Sequence, residues 1–376
     1  MASSALERMP GIRNRIRLST ANPEIATDRT RVLGLDRSGH LELSGIGRAN
    51  IDLNLKTNAM STTIRFHKYG GPEVLQVEDD EVGSPGPGQV RLRQEVIGVN
   101  FVDTMFRQGI FPTPLPSVAG VEGSGVVEAV GPGVAGFRVG DRVAYIFAPG
   151  SYSAVRLVSA DALLKIPAGL SSEQVMTVLS KGLTAWAGLN GYHQLKAGET
   201  VLVQGASSSV GALLASWAKA RGATVIGTAG SEEKRTAIAP SVHHALLSGD
   251  SDLADQIRYL SRDGVDVAYD FIGKATFSAT AAAVRNGGKI VMIGAASGEP
   301  LIDQAALNAR GIRVVGGPMM QYVQPAMSTA LAAVFDAYRS GVFGDIKVNR
   351  FRLAEAAQAH EAIAERRKSG TIVLVP

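Results

Sequence analysis

Between Val201 and Val315 the chain alternates short apolar runs with amphipathic stretches, and this alternation restricts its fold more than any other feature. Six runs read as strands: Val201–Gln204, Thr224–Thr228, Ala245–Leu247, Val265–Asp270, Lys289–Ile293 and Ile312–Val315. Helical stretches separate the first five. The clearest is Val210–Ala220, with apolar residues at 210, 213, 214, 217 and 218, the i, i+3, i+4, i+7, i+8 stripe of an amphipathic helix. Such alternation argues a parallel sheet covered on both faces, here a doubly wound α/β domain of six strands over residues 185–325.

The rest of the chain has a different texture. Residues 60–184 read as short strands, such as "QVRLRQEVIGV", "GSGVVEAVG" and "DRVAYIF", joined by "GSPGPG" and "GPGVAGFRVG". This predicts an antiparallel β-rich domain with few helices. After Pro325 two further helices and a last strand, "TIVLV", bring the chain back to it, so residues 326–376 are expected to complete that domain. Two domains suit a chain of 376 residues. Residues 1–59 show neither helical nor strand period, and Met60 opens a plausible start running straight into a strand. The segment is expected to be a disordered translated extension or leader. Its Arg- and Ser-rich beginning, Met1–Ala21, leaves a targeting segment as the alternative.

Composition excludes several classes. There is no cysteine, hence no disulfide, no thiol catalysis and no cysteine-ligated metal. No apolar run reaches the roughly 18 residues of a membrane span. The net charge of +4 is uneven: residues 1–59 hold nine Lys/Arg against six acids, while the remaining 29 Lys/Arg face 28 acids. The core therefore offers little charge for nucleic acid. The histidines His67, His193, His243, His244 and His360 lack metal-ligand spacing apart from the adjacent pair, and neighbours on one element point different ways. No metal site is expected.

The stretch "VLVQGASSSVG", Val201–Gly211, carries the first chemical signal. A strand, a small-residue turn and a helix start expose backbone N–H groups where the helix dipole favours an anion. Gly205, Ser208, Ser209, Val210 and Gly211 are the candidate phosphate contacts. Ser208 stands where a closest-approach glycine is usual, and its hydroxyl is able to bond a phosphate oxygen. The second strand ends in "TAGSEEKR" with no acid at its tip to hold a ribose 2′-OH. Gly230, Ser231 and Lys234 there, with Arg235, suit a 2′-phosphate and hence NADPH. In a purely structural role Ser231 caps a helix and Glu232 and Glu233 complement its dipole.

From about Ile64 onward the chain resembles the zinc-free medium-chain dehydrogenase/reductase superfamily, in its quinone oxidoreductase (zeta-crystallin-like) branch. The residues carrying this are "FHKYGGPEVLQV", "IGVNFVDTMFRQG", "AGVEGSGVVEAVGPGV", "GDRVAYIFAPGSYSAV", "SKGLTAWAGL", "GASSSVG" and "AHEAIAERRKSGTIVLVP". The resemblance implies a GroES-like β-rich catalytic domain beside the Rossmann domain. It implies an enzyme that moves hydride from NADPH to a quinone, or alternatively to an enone or alkenal. A non-catalytic NADPH-binding protein, crystallin-like or RNA-binding, is a further alternative. It also implies a cytoplasmic homodimer pairing through the strand near "IRVVGGPM", or a mitochondrial one if residues 1–59 are a transit peptide.

Carried over residue by residue, the resemblance places Asn100 and Asp103 in the active-site cleft, Asn100 donating to the acceptor carbonyl. Thr184 would lie near the nicotinamide carboxamide. Lys181 would pair with Asp103 or bond a ribose hydroxyl. Gly273, Gly294 and Ala295 would end strands beside the ligand, and Arg366 would meet the 2′-phosphate. The places of the catalytic zinc ligands in zinc-dependent relatives hold Asn100, Val121 and Lys181, a set that binds zinc poorly. Tyrosines frequent in bacterial relatives are absent at Met105, Phe111 and Ser248. The first two losses leave a more apolar substrate pocket, the third a weaker wall near the phosphate. The proton source is left to solvent.

Overall fold

The computed structural model describes residues 59–365 and 370–376, with two short strands ahead of them, β1 (Gly34–Leu35) and β2 (Leu41–Glu42), paired antiparallel. That pair belongs to a unit of its own, Met1–Leu55, and the expected leader otherwise lies outside the described residues. The second unit, Lys56–Pro376, is undivided and spans the residues expected to form the two domains.

Its first part runs through β3 (Ala59–Phe66), β4 (Gln76–Val82), β5 (Gln89–Val99), α1 (Phe101–Gln108), β6 (Ser117–Val118), β7 (Glu122–Val130), β8 (Arg142–Tyr145), β9 (Val155–Ser159) and β10 (Leu164–Lys165). Helix α2 (Ser172–Ala187) leads onward. It starts on a reciprocal cap: Ser171 Oγ accepts from Gln174 N at 3.1 Å and Gln174 Oε1 accepts from Ser171 N at 2.8 Å. The helix crosses the expected 184/185 domain boundary without a break, because its apolar face, Val175, Met176, Leu179 and Leu183, is buried along its whole length.

The α/β part follows as β11 (Thr200–Gln204), α3 (Ser209–Ala220), β12 (Thr224–Ala229), α4 (Glu232–Ile238), β13 (His244–Leu247), α5 (Leu253–Ser261), β14 (Val265–Asp270), α6 (Phe277–Ala283), β15 (Val284–Met292), α7 (Gln304–Ala309) and β16 (Arg313–Val315). These six strands form one parallel sheet in the order β13-β12-β11-β14-β15-β16. Strand β15 begins five residues earlier than the sequence suggested, at Val284. The order reverses between β11 and β14, the switch point at which sheets of this kind leave a crevice.

The chain closes with α8 (Met320–Val323), α9 (Met327–Arg339), β17 (Val348–Arg352), α10 (Ala356–Ala364) and β18 (Thr371–Val375). Strand β18 lies antiparallel to β5 and parallel to β17, so the last strand does return to the β-rich part. There it sits in a seven-stranded sheet, beside a three-stranded one of β4, β3 and β6. One core cluster joins Val96, Ala144 and Val373 of the β-rich part to α2, α3 and the parallel sheet.

Candidate active site

Strand β5 ends at Val99 and α1 starts two residues later, with Asn100 extended between them at φ −124° and ψ 155°. Asp103, in the first turn, accepts from the Asn100 backbone N–H at 2.8 Å. The Asn100 amide turns the other way. Its Nδ2 donates to Glu122 Oε2 at 2.7 Å and its Oδ1 accepts from Ser180 Oγ at 3.2 Å. Glu122, the first residue of β7, is 0% exposed. It fits because its partner on β5 is Gly98, where an added Cβ would stand 2.4 Å from Glu122 Oε2.

Asn100 Nδ2 and Lys181 Nζ, at 3.2 Å, both donate to that one oxygen, and Ser180 Oγ lies 2.9 Å from it, its single hydrogen shared between this oxygen and Asn100 Oδ1. Glu122 Oε1 takes the Ser180 backbone N–H at 3.0 Å. Lys181 and Glu122 thus form a buried ion pair, with the lysine side chain 4% exposed. A buried charge pair is tolerable only when hydrogen bonds satisfy the remaining lone pairs, and here they do so for the carboxylate.

Two expectations need correction at this point. Lys181 is not the partner of Asp103; it pairs with Glu122, which reaches it across the fold. Asp103 is 2% exposed and turned inward, so it caps α1 from beneath and does not line the cleft. Thr184 lies in the last turn of α2, and its hydroxyl donates back to Ser180 O at 2.8 Å, with Met319 Sδ 2.9 Å away. That back-bond satisfies the hydroxyl inside its own helix.

Behind Asp103 runs a second buried string. Tyr152 Oη donates to Asp103 Oδ2 at 3.1 Å and lies 3.0 Å from His360 Nε2, while Arg107 Nη1 donates to His360 Nδ1 at 3.2 Å. Only one tautomer satisfies every link, with the histidine proton on Nε2 and donated to Tyr152. Burial pushes the Asp103 carboxyl up to about 7 against the opposing pull of its two donors. Burial, and then the Arg107 charge, hold His360 down at about 3. His360, on α10, is 0% exposed. Asp103 Oδ1 is buried with no hydrogen-bond partner.

The nucleotide end is built differently. Gly205 turns the chain at φ +80°, and its N–H donates to Thr228 Oγ1 at 3.2 Å. Thr228 donates to Gln204 Oε1 at 2.6 Å, Gln204 Nε2 to Thr280 Oγ1 at 3.1 Å, and Thr280 to Asp270 Oδ2 at 3.2 Å. Asp270 also holds the Ile272 and Gly273 N–H groups, at 2.8 and 2.9 Å. This belt ties together the tips of β12, β11 and β14 beneath the bend. Above it, Ser208 caps α3, its Oγ accepting from Gly211 N at 3.0 Å, and Ser209 Oγ donates to Gly370 O at 2.9 Å. Ser208 and Ser209 are thus both engaged by the fold itself. At Gly211 an added Cβ would stand 2.3 Å from Gly205 O. The N–H groups of Ser209 and Val210 have no acceptor among the described residues.

Ser231 caps α4, accepting from Lys234 N at 3.4 Å, and Gly230 beside it is exposed. Ser248 N donates to Ala229 O at 2.9 Å, so Gly230, Ser231 and Ser248 share one corner at the tips of β12 and β13. Arg235 is gripped by Glu232. Gly294 N donates to Asp270 O at 3.2 Å and Ala295 O accepts from Gly298 N at 2.9 Å, which sets both next to Gly273. Arg366 lies outside the described residues. Glu122, Ser180, Tyr152 and Asp270 were not singled out from the sequence, and His360 was weighed there only as a metal ligand. Only Glu122 left a local signal, a lone acid in the apolar, glycine-rich "AGVEGSGVV".

The zinc-binding dehydrogenase family matches residues 209–336, and the alcohol dehydrogenase GroES-like domain matches residues 86–168. The donor set does not fit a zinc ion: the chain has no cysteine, and no group of three His, Asp or Glu able to hold a metal exists among the described residues. The chain is 40% identical over 326 residues to a 2-haloacrylate reductase of Burkholderia sp, covering 83% of this chain and 98% of that protein. It is 34% identical over 330 residues to quinone oxidoreductase 1 of Escherichia coli (strain K12), covering 84% and 100%. The crystal structure of Escherichia coli quinone oxidoreductase complexed with NADPH superposes with a TM-score of 0.79 at 32% identity, covering 84% and 100%.

Proposed function

The chain belongs to the medium-chain dehydrogenase/reductase superfamily, in its quinone oxidoreductase branch, and on that premise we propose an NADPH-dependent, zinc-independent reductase of quinones or similar electron-poor acceptors. The observation that carries this reading is the Asn100 amide. Glu122 and Ser180 hold it in one orientation and use one of its two N–H donors, so the second is available to an acceptor carbonyl gaining charge. Bound NADPH supplies the hydride. The Ser209 and Val210 N–H groups would hold its pyrophosphate, and the absent Cβ at Gly211 keeps the bend tight enough for that. Ser231, Lys234, Ser248 and Arg366 would meet the 2′-phosphate, and Gly273, Gly294 and Ala295 the nicotinamide half.

The relative that reduces 2-haloacrylate, an activated alkene acid, favours a second reading in which the acceptor is an electron-poor alkene. Both readings need the same Asn100 donor, because both place developing charge on a carbonyl oxygen. The reading is of a cytoplasmic homodimer, with β16, at the edge of the parallel sheet, as the pairing strand. Among the described residues no helix is long and apolar enough to cross a membrane.

Calorimetric titration with NADPH and NADH, followed by steady-state rates on a panel of quinones, enones and 2-haloacrylates, tests this. NADPH is expected to bind at least about tenfold more tightly than NADH, the worth of a phosphate held by one or two charge-assisted bonds. Asn100→Ala is expected to lower kcat about 10²-fold at unchanged NADPH affinity. Absence of nucleotide binding sinks the proposal, and binding without turnover of any acceptor replaces it with a non-catalytic NADPH-binding protein.

A further inference from the structure

We propose that Lys181 is the proton donor that completes the reduction, protonating the acceptor oxygen that gains charge as hydride arrives. The inference rests on the reductase reading and names the one participant it leaves open. Asn100 Nδ2 and Lys181 Nζ both bind Glu122 Oε2, at 2.7 and 3.2 Å, so they stand no more than about 6 Å apart. An oxygen atom at ordinary hydrogen-bond distance from both fits within that separation. The proposal places the acceptor oxygen that takes the second Asn100 N–H at this shared position, within reach of the ammonium.

The ammonium also has donors to give. It carries three N–H groups, and among the described residues Glu122 is its one acceptor. At 4% exposure bulk water does not supply the others, and buried N–H groups without an acceptor are costly. Other candidates near the anchor are excluded by their bonds. The Tyr152 hydrogen is given to Asp103, and His360 behind it is neutral and fully buried. Ser180 has a single hydroxyl hydrogen between two acceptors, Asn100 Oδ1 and Glu122 Oε2.

The chemistry balances. Hydride addition places an electron pair on the acceptor oxygen: a phenolate from a quinone, an enolate from an enone. The Nζ–H bond then breaks and an O–H bond forms, leaving Lys181 as the neutral amine beside Glu122, to be reprotonated from solvent when product leaves.

The test uses the full chain, and only once wild type has reduced at least one acceptor. A wild type that reduces none overturns the reductase reading itself. Lys181→Met is expected to slow single-turnover reduction about 10²-fold, the usual worth of a general acid, with NADPH affinity within threefold of wild type. Lys181→Ala is expected to regain rate with added methylammonium. As an equilibrium readout, 4-nitrophenol is expected to bind wild type as the phenolate, seen by its visible absorbance, and about tenfold more weakly to Lys181→Met. The double variant Lys181→Met/Glu122→Gln leaves no buried carboxylate unpaired, and it separates loss of the donor from loss of fold. Reduction by a folded lysine variant within threefold of wild type overturns the proposal. So does phenolate affinity that ignores the substitution together with no rescue by the amine.

Discussion

Around Glu122 the charged groups are buried and bound to fixed partners before any ligand arrives, whereas at the Gly205–Gly211 bend the contacts are backbone N–H groups and hydroxyls. On the rim beside Ser231, the half-exposed Arg235 grips the exposed Glu232. The difference follows from dielectric. A charge in the interior acts strongly but has to be compensated in place, while a surface charge is screened by water and salt. The surroundings of Glu122 are therefore where substitutions should alter chemistry and folding together, and the rim is where they should alter nucleotide binding at a smaller cost in stability.

The sharpest way to break this contrast is Glu122→Ala. It strands the Lys181 ammonium in the interior and releases the Asn100 amide, and a loss of about 3–5 kcal/mol in denaturant unfolding is expected. A loss below about 1 kcal/mol would mean that the surroundings of Glu122 are no more exacting than the surface. Gly211→Ala tests the rim where backbone meets backbone. Its Cβ would stand 2.3 Å from Gly205 O and 2.8 Å from Ser208 Oγ, so the bend has to open. NADPH affinity is expected to fall about tenfold by fluorescence titration, at a stability cost of about 1–3 kcal/mol.

The buried string makes a finer prediction, with opposite signs at its two ends. From about pH 4 to 7 folded Asp103 keeps a proton that the unfolded chain has lost, so this group lowers stability as pH rises. From about pH 6.5 down to 3 the unfolded chain takes a proton that folded His360 refuses, so this group lowers stability as pH falls. Between about pH 4 and 6.5 the two slopes cancel. His360→Gln should uncover the Asp103 slope, stability falling with rising pH by about 1 kcal/mol per unit, and Asp103→Asn should uncover the reverse. Melting temperatures of both variants at pH 4.5, 5.5 and 6.5 check this, and identical profiles would refute the coupling. The smallest effect is expected at Glu232→Gln. Freeing Arg235 should tighten NADPH about two- to fivefold at low salt, and the gain should fade as salt is added.

The six strands of the parallel sheet were legible because each is a continuous apolar run bounded by turns, and α3 because its stripe has one period. Boundaries were less so. The start of β15 at Val284 is hidden in "VRNGGK", which carries no apolar run, and the length of α2 depends on what it packs against on both sides. In the candidate site, Asn100 was visible through the resemblance carried by "IGVNFVDTMFRQG". Its orientation was not, because that depends on Glu122 and on Ser180, 80 residues away. Lys181 read as a partner of Asp103 or of a ribose hydroxyl, since nothing local announces a carboxylate 59 positions upstream.

By itself the amino-acid order determined the alternation of elements, the anion-ready bend at the start of α3 and the absence of any thiolate ligand. These are local matters of period, turn chemistry and residue type. Tertiary structure alone decided which charges meet. Glu122 finds Lys181 because Gly98 leaves room beside it, and Arg107 finds His360 from 253 positions away. Pairing of that kind is set by burial, which removes water as the competing partner, and burial is a property of the whole fold rather than of any stretch within it.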